Sequence, residues 1–340
     1  MAREFIRTLF NQEGNIMESQ STQLQTALTL AYIVNSATTS DAGVVMQNPD
    51  ASATKINITT RISKSKMTAG KFSVVWGPAI YIPDNSDGYS ANVTVALKDD
   101  SGDISIVTSG TNPKSQFDIS DEDNEITTLQ ELSGLIKSCP SGVQISQGAW
   151  DGVEGILKTR SVLSRTTPLL ADFVGSTGRI FNIIGHSLGG ALATVLAVYF
   201  KDAFPFREFH CHTFAGPTAG NGAFAQYFNE NMESRTRRVF NTMDIVPCAW
   251  SNDGLSRILN IYEPQLPTPA QVSEFVQYVQ SLNLGYAQPE KSVSLKGAVN
   301  TKIILSTPDD FMNQAAYQHI AAYVTLLGLQ PGDIATPPGS

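Results

Sequence analysis

Apolar positions follow two different periods along the chain. From Gln20 to Asn35 they recur at helical spacing, with Leu24, Leu28, Ala31 and Tyr32 on one face, which predicts a helix. The period then shortens. KFSVVWGPAIYI (71–82), ANVTVALKD (91–99) and DISIVTSGT (103–111) are β-branched runs separated by PDNSDG and DDSGD, whose Asp, Asn and Gly favour turns, so three strands are expected. From Ile145 onward the two patterns alternate. Helices are predicted near Trp150–Leu163, Leu188–Phe200 and Ala223–Asn229, and strands at Arg179–Gly185, Glu208–Phe214 and Arg237–Asn241. Parallel strands need crossover connections, and crossover helices pack on both faces of the sheet, so this alternation predicts an α/β fold with a mostly parallel central sheet.

Two later stretches are also amphipathic. In KSQFDISDEDNEITTLQELSGLIK (114–137) an acidic run precedes Ile126, Leu129, Leu132, Leu135 and Ile136 at helical spacing. In TPAQVSEFVQYVQSLN (268–283), Thr268 is placed as N-cap, Pro269 at the first helical position and Gln271 to close a capping box. Val272, Phe275, Val276, Val279 and Leu282 form one face of the helix that follows, and whether it frames a substrate pocket or only packs on the fold stays open. This helix belongs to an expected helical insertion at about 251–296. No repeat and no long Pro, Gly or Ser run marks a linker, so residues 1–340 read as one domain.

Charge and cysteine content narrow the partners. A net charge of −8 without a clustered basic face argues against nucleic acid, whose phosphates need such a face. MAREFIRTLFNQEGNI has no apolar h-region and no segment is long enough to span a bilayer. The expectation is a soluble chain of open compartment, which a mature or leaderless form of an exported protein would also satisfy. Cys139, Cys211 and Cys248 lack metal-ligand or redox spacing and are read as buried free thiols, with a single Cys139–Cys248 bridge as the alternative.

The candidate chemistry centres on GHSLGG (185–190). RIFNII before it is an apolar strand and ALATVLAVYF after it a strong helix former, which is the strand-turn-helix setting of a nucleophile elbow. Glycines at 185 and 189 leave room for the turn, and Ser187 stands at a helix N-terminus, where the Leu188 N–H can stabilise an oxyanion. A serine hydroxyl needs a histidine to take its proton and a carboxylate to orient that histidine. Of four histidines, His186 adjoins the serine and points elsewhere, while His210 and His212 lie in a buried strand. A metal site at those two is disfavoured, because no third ligand accompanies them. His319 alone fits the order Ser, acid, His. Asp244 follows the strand Arg237–Asn241, at the strand end where α/β sites gather; Asp253 and Glu263 have no strand leading into them.

GHSLGG, TFAGPTAGNGAFA (213–225), VFNTMDIVP (239–247) and QHIAAY (318–323) together resemble the class 3 lipases, the group of the filamentous-fungal triacylglycerol lipases, over about residues 24–327. The resemblance implies an α/β-hydrolase fold and the same Ser187, Asp244 and His319. It also implies a second oxyanion donor at Thr111 in Ser109-Gly110-Thr111, where Ser109 stands in place of the family's arginine. VQISQGAWDGVEGIL departs too, with Ser146 and Ala149 where the family has a histidine and a phenylalanine. The family's lid corresponds to 112–137, either a mobile cover or a fixed surface helix. The implied activity is hydrolysis of carboxylic esters, foremost acylglycerols at a lipid–water interface, through an acyl-enzyme, with no metal or organic cofactor. A phospholipase A, an esterase for soluble or plant-wall esters, and a non-catalytic binding or signalling protein on the same fold are the alternatives.

Overall fold

Helix α1 occupies residues 21–35 and α2 occupies Ala51–Lys64 of the computed structural model, which describes residues 21–112, 114–115, 126–330 and 332–334. The sequence pattern did not announce α2. Its buried positions are Thr54, Ile58, Arg61 and Ile62, a helical stripe in which two of four members are polar, so the apolar period is masked. Asp50 caps it by accepting from the Ala53 N–H at 2.8 Å.

Strands β1 (Phe72–Tyr81), β2 (Asn92–Asp99) and β3 (Ile104–Thr108) form an antiparallel meander. Short strands β4 (Leu129–Glu131) and β5 (Gln144–Ser146) make a separate antiparallel pair. Helices α3 (Gln147–Lys158) and α4 (Leu170–Ser176) then lead to β6 (Ile180–His186), α5 (Leu188–Ala203), β7 (Glu208–Phe214), α6 (Gly222–Met232) and β8 (Thr236–Asn241). After α7 (Asn252–Ile258) and α8 (Ala270–Ser281) comes β9 (Ser292–Leu295), then α9 (Asp310–His319) and α10 (Ala321–Leu326). The main sheet runs β1-β2-β3-β6-β7-β8-β9, and every neighbour pair from β3 to β9 is parallel, as the alternation predicted.

Alternation along the strands feeds two cores. Ile106, Phe181, Ile183, Phe209 and Cys211 pack beneath α3, α4 and α5, while Val107, Ile184, Phe214 and Val239 pack beneath α1 and α10. Helix α5 is buried nearly all round, the environment its run of Ala, Leu and Val suits. A third cluster joins α7 and α8 to α9 through Leu255, Val276, Val279, Tyr286, Phe311 and Ala315. That cluster buttresses the helix on which His319 stands.

Several expectations change. Helix α3 ends at Lys158 rather than Leu163, because the hydroxyl and the amide of Thr159 both donate to Gly155 O and close it. The stripe from Ile126 to Ile136 is not one α-helix; it holds only a short 3-10 turn at Leu132–Gly134. Leu129–Glu131 is a strand, and its apolar side chains serve two different clusters, Leu132 and Ile136 in the first and Ile126 and Leu129 in the third. Residues 116–125 of the expected lid lie outside the described residues. The capping box of α8 is absent: Thr268 donates instead to Leu259 O at 2.9 Å and Pro269 occupies the cap position. The expected helical insertion contains β9, whose four residues are too short and too polar to stand out as a strand. All three cysteines are buried and unpaired, so there is no Cys139–Cys248 bridge.

Candidate active site

Strand β6 delivers Ser187 at φ 59°, ψ −134°, a backbone conformation that L side chains resist and that sharp nucleophile turns impose. The close packing there explains the glycines. A Cβ on Gly185 would meet Gly189 O at 1.9 Å, and one on Gly189 would meet Thr108 O and Ser109 O at 2.7 and 2.6 Å. The same packing brings the loop after β3 against the turn, since a Cβ on Gly110 would lie 3.2 Å from the Ser187 Cβ. A serine at a helix N-cap ordinarily turns its hydroxyl back to the first helical amides. Ser187 makes no such bond, and its Oγ lies 2.8 Å from His319 Nε2.

His319 is the last residue of α9, and its Nδ1 lies 3.0 and 3.2 Å from the two carboxylate oxygens of Asp244. Asp244 is 1 % exposed in the turn after β8. A buried carboxylate must be hydrogen-bonded, and this one also accepts from the Val246 N–H at 3.0 Å and from the Tyr323 hydroxyl at 2.8 Å. Burial, reinforced by the Asp244 charge, raises the Tyr323 phenol well above its ordinary range, so it remains a donor. Ser187, Asp244 and His319, widely separated in sequence, thus form one continuous hydrogen-bonded line.

The end of α9 is held by side chains rather than by a continuing helix. The last carbonyls of a helix lack intrahelical donors. Here Gln318 O accepts from Asn241 Nδ2 at 2.9 Å, His319 O from His186 Nε2 at 3.0 Å, and Ile320 O from the Tyr32 hydroxyl at 2.8 Å. Tyr323, Asn241, His186 and Tyr32 were not picked out by sequence for these roles. The placement of Tyr323 four residues after His319 was the available signal, whereas the others come from distant elements.

Thr111 follows Gly110 in the loop beside Ser187, and Leu188 opens α5, where its N–H has no intrahelical acceptor. The serine that replaces arginine at 109 anchors this loop to β2: its N–H donates to Val93 O at 3.0 Å and its Oγ accepts from Val93 N at 2.9 Å. Ser146 caps α3 through the Ala149 N–H, and Ala149 is buried, so the second departure from the family pattern is accommodated by a cap and a small core residue.

His210 and His212 lie on the α1 face of β7, in a cleft that Asp103 and Arg235 also line toward the amino ends of the parallel strands. His210 pairs with Glu208 at 2.9 Å. Burial, with His210 and Arg237 nearby, pushes His212 down to about 4. Among the described residues no cluster of His, Cys, Asp and Glu is arranged to hold a metal ion, and no helix is long and apolar enough to cross a membrane.

Residues 106–253 match the sequence family described as lipase (class 3). A secreted mono- and diacylglycerol lipase 1 of Fusarium solani is 34% identical over 90 residues. That match takes in 26% of this chain and 24% of the relative, so only about a quarter of the relative's length is spanned. A solved structure described as M37 lipase superposes with a TM-score of 0.74 at 24% identity, covering 91% of this chain and 92% of that one. The overlap assigns the α/β-hydrolase fold, with a mostly parallel sheet covered by helices on both faces.

Proposed function

We propose that this chain, whose residues 106–253 match the class 3 lipase family, is a serine ester hydrolase acting on acylglycerols, triacylglycerols foremost, through an acyl-enzyme. The observation that supports this most is the His319 imidazole, with Nε2 at 2.8 Å from Ser187 Oγ and Nδ1 against a buried carboxylate. The Fusarium solani relative, by name a mono- and diacylglycerol lipase, supports a glycerol ester as substrate.

In this reading His319 Nε2 takes the hydroxyl proton as Ser187 Oγ attacks the ester carbonyl. Asp244 holds the ring with Nδ1–H toward it and stabilises the imidazolium that forms. The N–H groups of Leu188 and Thr111 donate to the tetrahedral oxyanion. Collapse of that intermediate breaks the bond to the alkoxy oxygen, which leaves as the alcohol with the proton from His319. Water then enters along the same path: His319 takes its proton as the water oxygen bonds to the acyl carbon, the acyl–Oγ bond breaks, and Ser187 regains the proton from His319 as the fatty acid departs. The whole sequence takes place within one domain.

A fluorophosphonate tests the reading. The expected adduct is on Ser187, with hydrolysis of emulsified acylglycerols lost in Ser187→Ala. No adduct at Ser187 in folded protein, or hydrolysis undiminished in Ser187→Ala, would overturn it. Faster hydrolysis of phospholipid or of dissolved esters than of emulsified acylglycerols would refute the acylglycerol assignment while leaving the serine chemistry in place.

A further inference from the structure

A polar side chain from α1 links both halves of the site. Asn35 Oδ1 accepts from the Gly110 N–H at 2.8 Å, and Asn35 Nδ2 lies 3.4 Å from His186 Nδ1. A backbone N–H can only donate, so the amide oxygen must face Gly110 and the NH₂ must face the imidazole. His186 Nδ1 is therefore the acceptor. On the other side of the ring, Nε2 lies 3.0 Å from His319 O, and a carbonyl can only accept. Both neighbours require the same tautomer, neutral with the proton on Nε2. Burial, joined by the charge of His319, keeps the ring uncharged by driving its pKa well below the ordinary value.

We infer that Asn35 and His186 are positioning residues that tie the oxyanion loop to the main chain of the general base. The link runs Gly110 N–H, Asn35 amide, His186 imidazole, His319 carbonyl, and it rests on the proposed serine mechanism. It does two things. Gly110 precedes the proposed donor Thr111, so the amide of Asn35 sets where that N–H points. His186 satisfies the carbonyl of the residue whose imidazole takes the proton, and its ring lies 4.8 Å, centroid to centroid, from the His319 ring without adding a positive charge beside the imidazolium. The elements involved are α1, the β3 loop, the β6 turn and α9, and of these the Ser187–His319 and Tyr32–Ile320 hydrogen bonds also join the turn and α1 to the end of α9. The bridge gives donor and base one common reference.

The test compares wild type, Asn35→Ala, His186→Phe, the double variant, and His186→Gln, whose amide N–H can again reach His319 O. Each is titrated with fluorophosphonate so that rates refer to folded sites, then assayed on a soluble p-nitrophenyl ester well below its unfolding temperature. The expected result is a fall in kcat on the order of 10- to 100-fold for each single variant, because sub-ångström misplacement of catalytic groups costs that much. KM should stay within about twofold, since the link touches no ground-state contact. Both changes cut one chain, so the double variant should lose no more than the worse single one. His186→Gln should recover part of the rate, and ¹⁵N spectra of wild-type protein should show His186 Nδ1 unprotonated. Additive losses, unchanged kcat, or a His186 proton on Nδ1 would overturn the inference. Failure of wild type to label at Ser187 would instead refute the serine mechanism itself.

Discussion

Tyr323→Phe removes one oxygen and with it two hydrogen bonds. The hydroxyl donates to Asp244 Oδ2 at 2.8 Å and accepts from the Asn241 N–H at 2.9 Å, and all three residues are buried. Leaving the Asn241 amide without an acceptor costs about 1–3 kcal/mol, and taking a donor from a buried carboxylate costs about 1.5–3 kcal/mol. One oxygen makes both bonds, so the sum of about 2.5–6 kcal/mol is the expected destabilisation. At about 2.1 cal/mol/K per residue, a chain of 340 residues unfolds with an entropy of about 0.7 kcal/mol/K, so Tm should drop by about 4–8 °C in calorimetry. Turnover should suffer less. His319 Nδ1 still faces both oxygens of Asp244, so kcat on a soluble ester should fall by no more than about tenfold, ~1.4 kcal/mol of barrier. A Tm within about 1 °C of wild type, the size of effect an ordinary surface substitution has, would refute the account of the buried bonds. A kcat as low as that of Ser187→Ala would mean that the phenol takes part in proton transfer.

Two further outcomes follow from the same structure. In Gly189→Ala the new methyl meets the backbone oxygens of Thr108 and Ser109, which cannot rotate away. The loop carrying Thr111 must shift, and kcat should fall on the order of 10- to 100-fold while fluorophosphonate labelling of Ser187 persists; an unchanged kcat would show that the loop does not set the oxyanion donor. The pH dependence of stability supplies the second. His186 and His212 are held below the ordinary value of 6.5, so the unfolded chain binds more protons, and their contribution is complete above pH 6.5 and lost as pH falls toward about 4, the His212 value. Each histidine supplies a slope of up to ~1.4 kcal/mol per pH unit in that window. Thermal unfolding of His212→Asn should therefore depend less steeply on pH between 6.5 and 4.5 than that of wild type, and parallel profiles would refute the assignment.

What could be read from sequence was what lies close together in it. GHSLGG announces its own turn because the strand before it and the helix after it are contiguous, and Asp244 is found by the strand that leads into it. His319 followed by elimination, since four histidines leave few combinations. The support around these residues was not legible. Asn241 to Gln318, Tyr32 to Ile320 and Asn35 to Gly110 are pairings between polar side chains and main-chain groups 75 to 288 positions apart, and no local period encodes them. Helix α8 shows the converse limit: Thr268 has the right spacing for a cap, but its hydroxyl donates to a carbonyl of the preceding segment and Pro269 takes the cap position. The segment from Ile126 to Ile136 kept a helical spacing because its apolar residues answer to two cores instead of one face.

The separation of 132 positions between Ser187 and His319 also imposes a schedule. While the chain emerges from a ribosome, the β6 turn can form and present its hydroxyl long before α9 exists. Under the proposed mechanism that hydroxyl is inert until α9 docks, where Asn241 from β8, His186 from the turn and Tyr32 from α1 receive the helix end. Competence for the proposed hydrolysis therefore waits for the C-terminal part of the chain, because without α9 the Ser187 hydroxyl has no imidazole beside it.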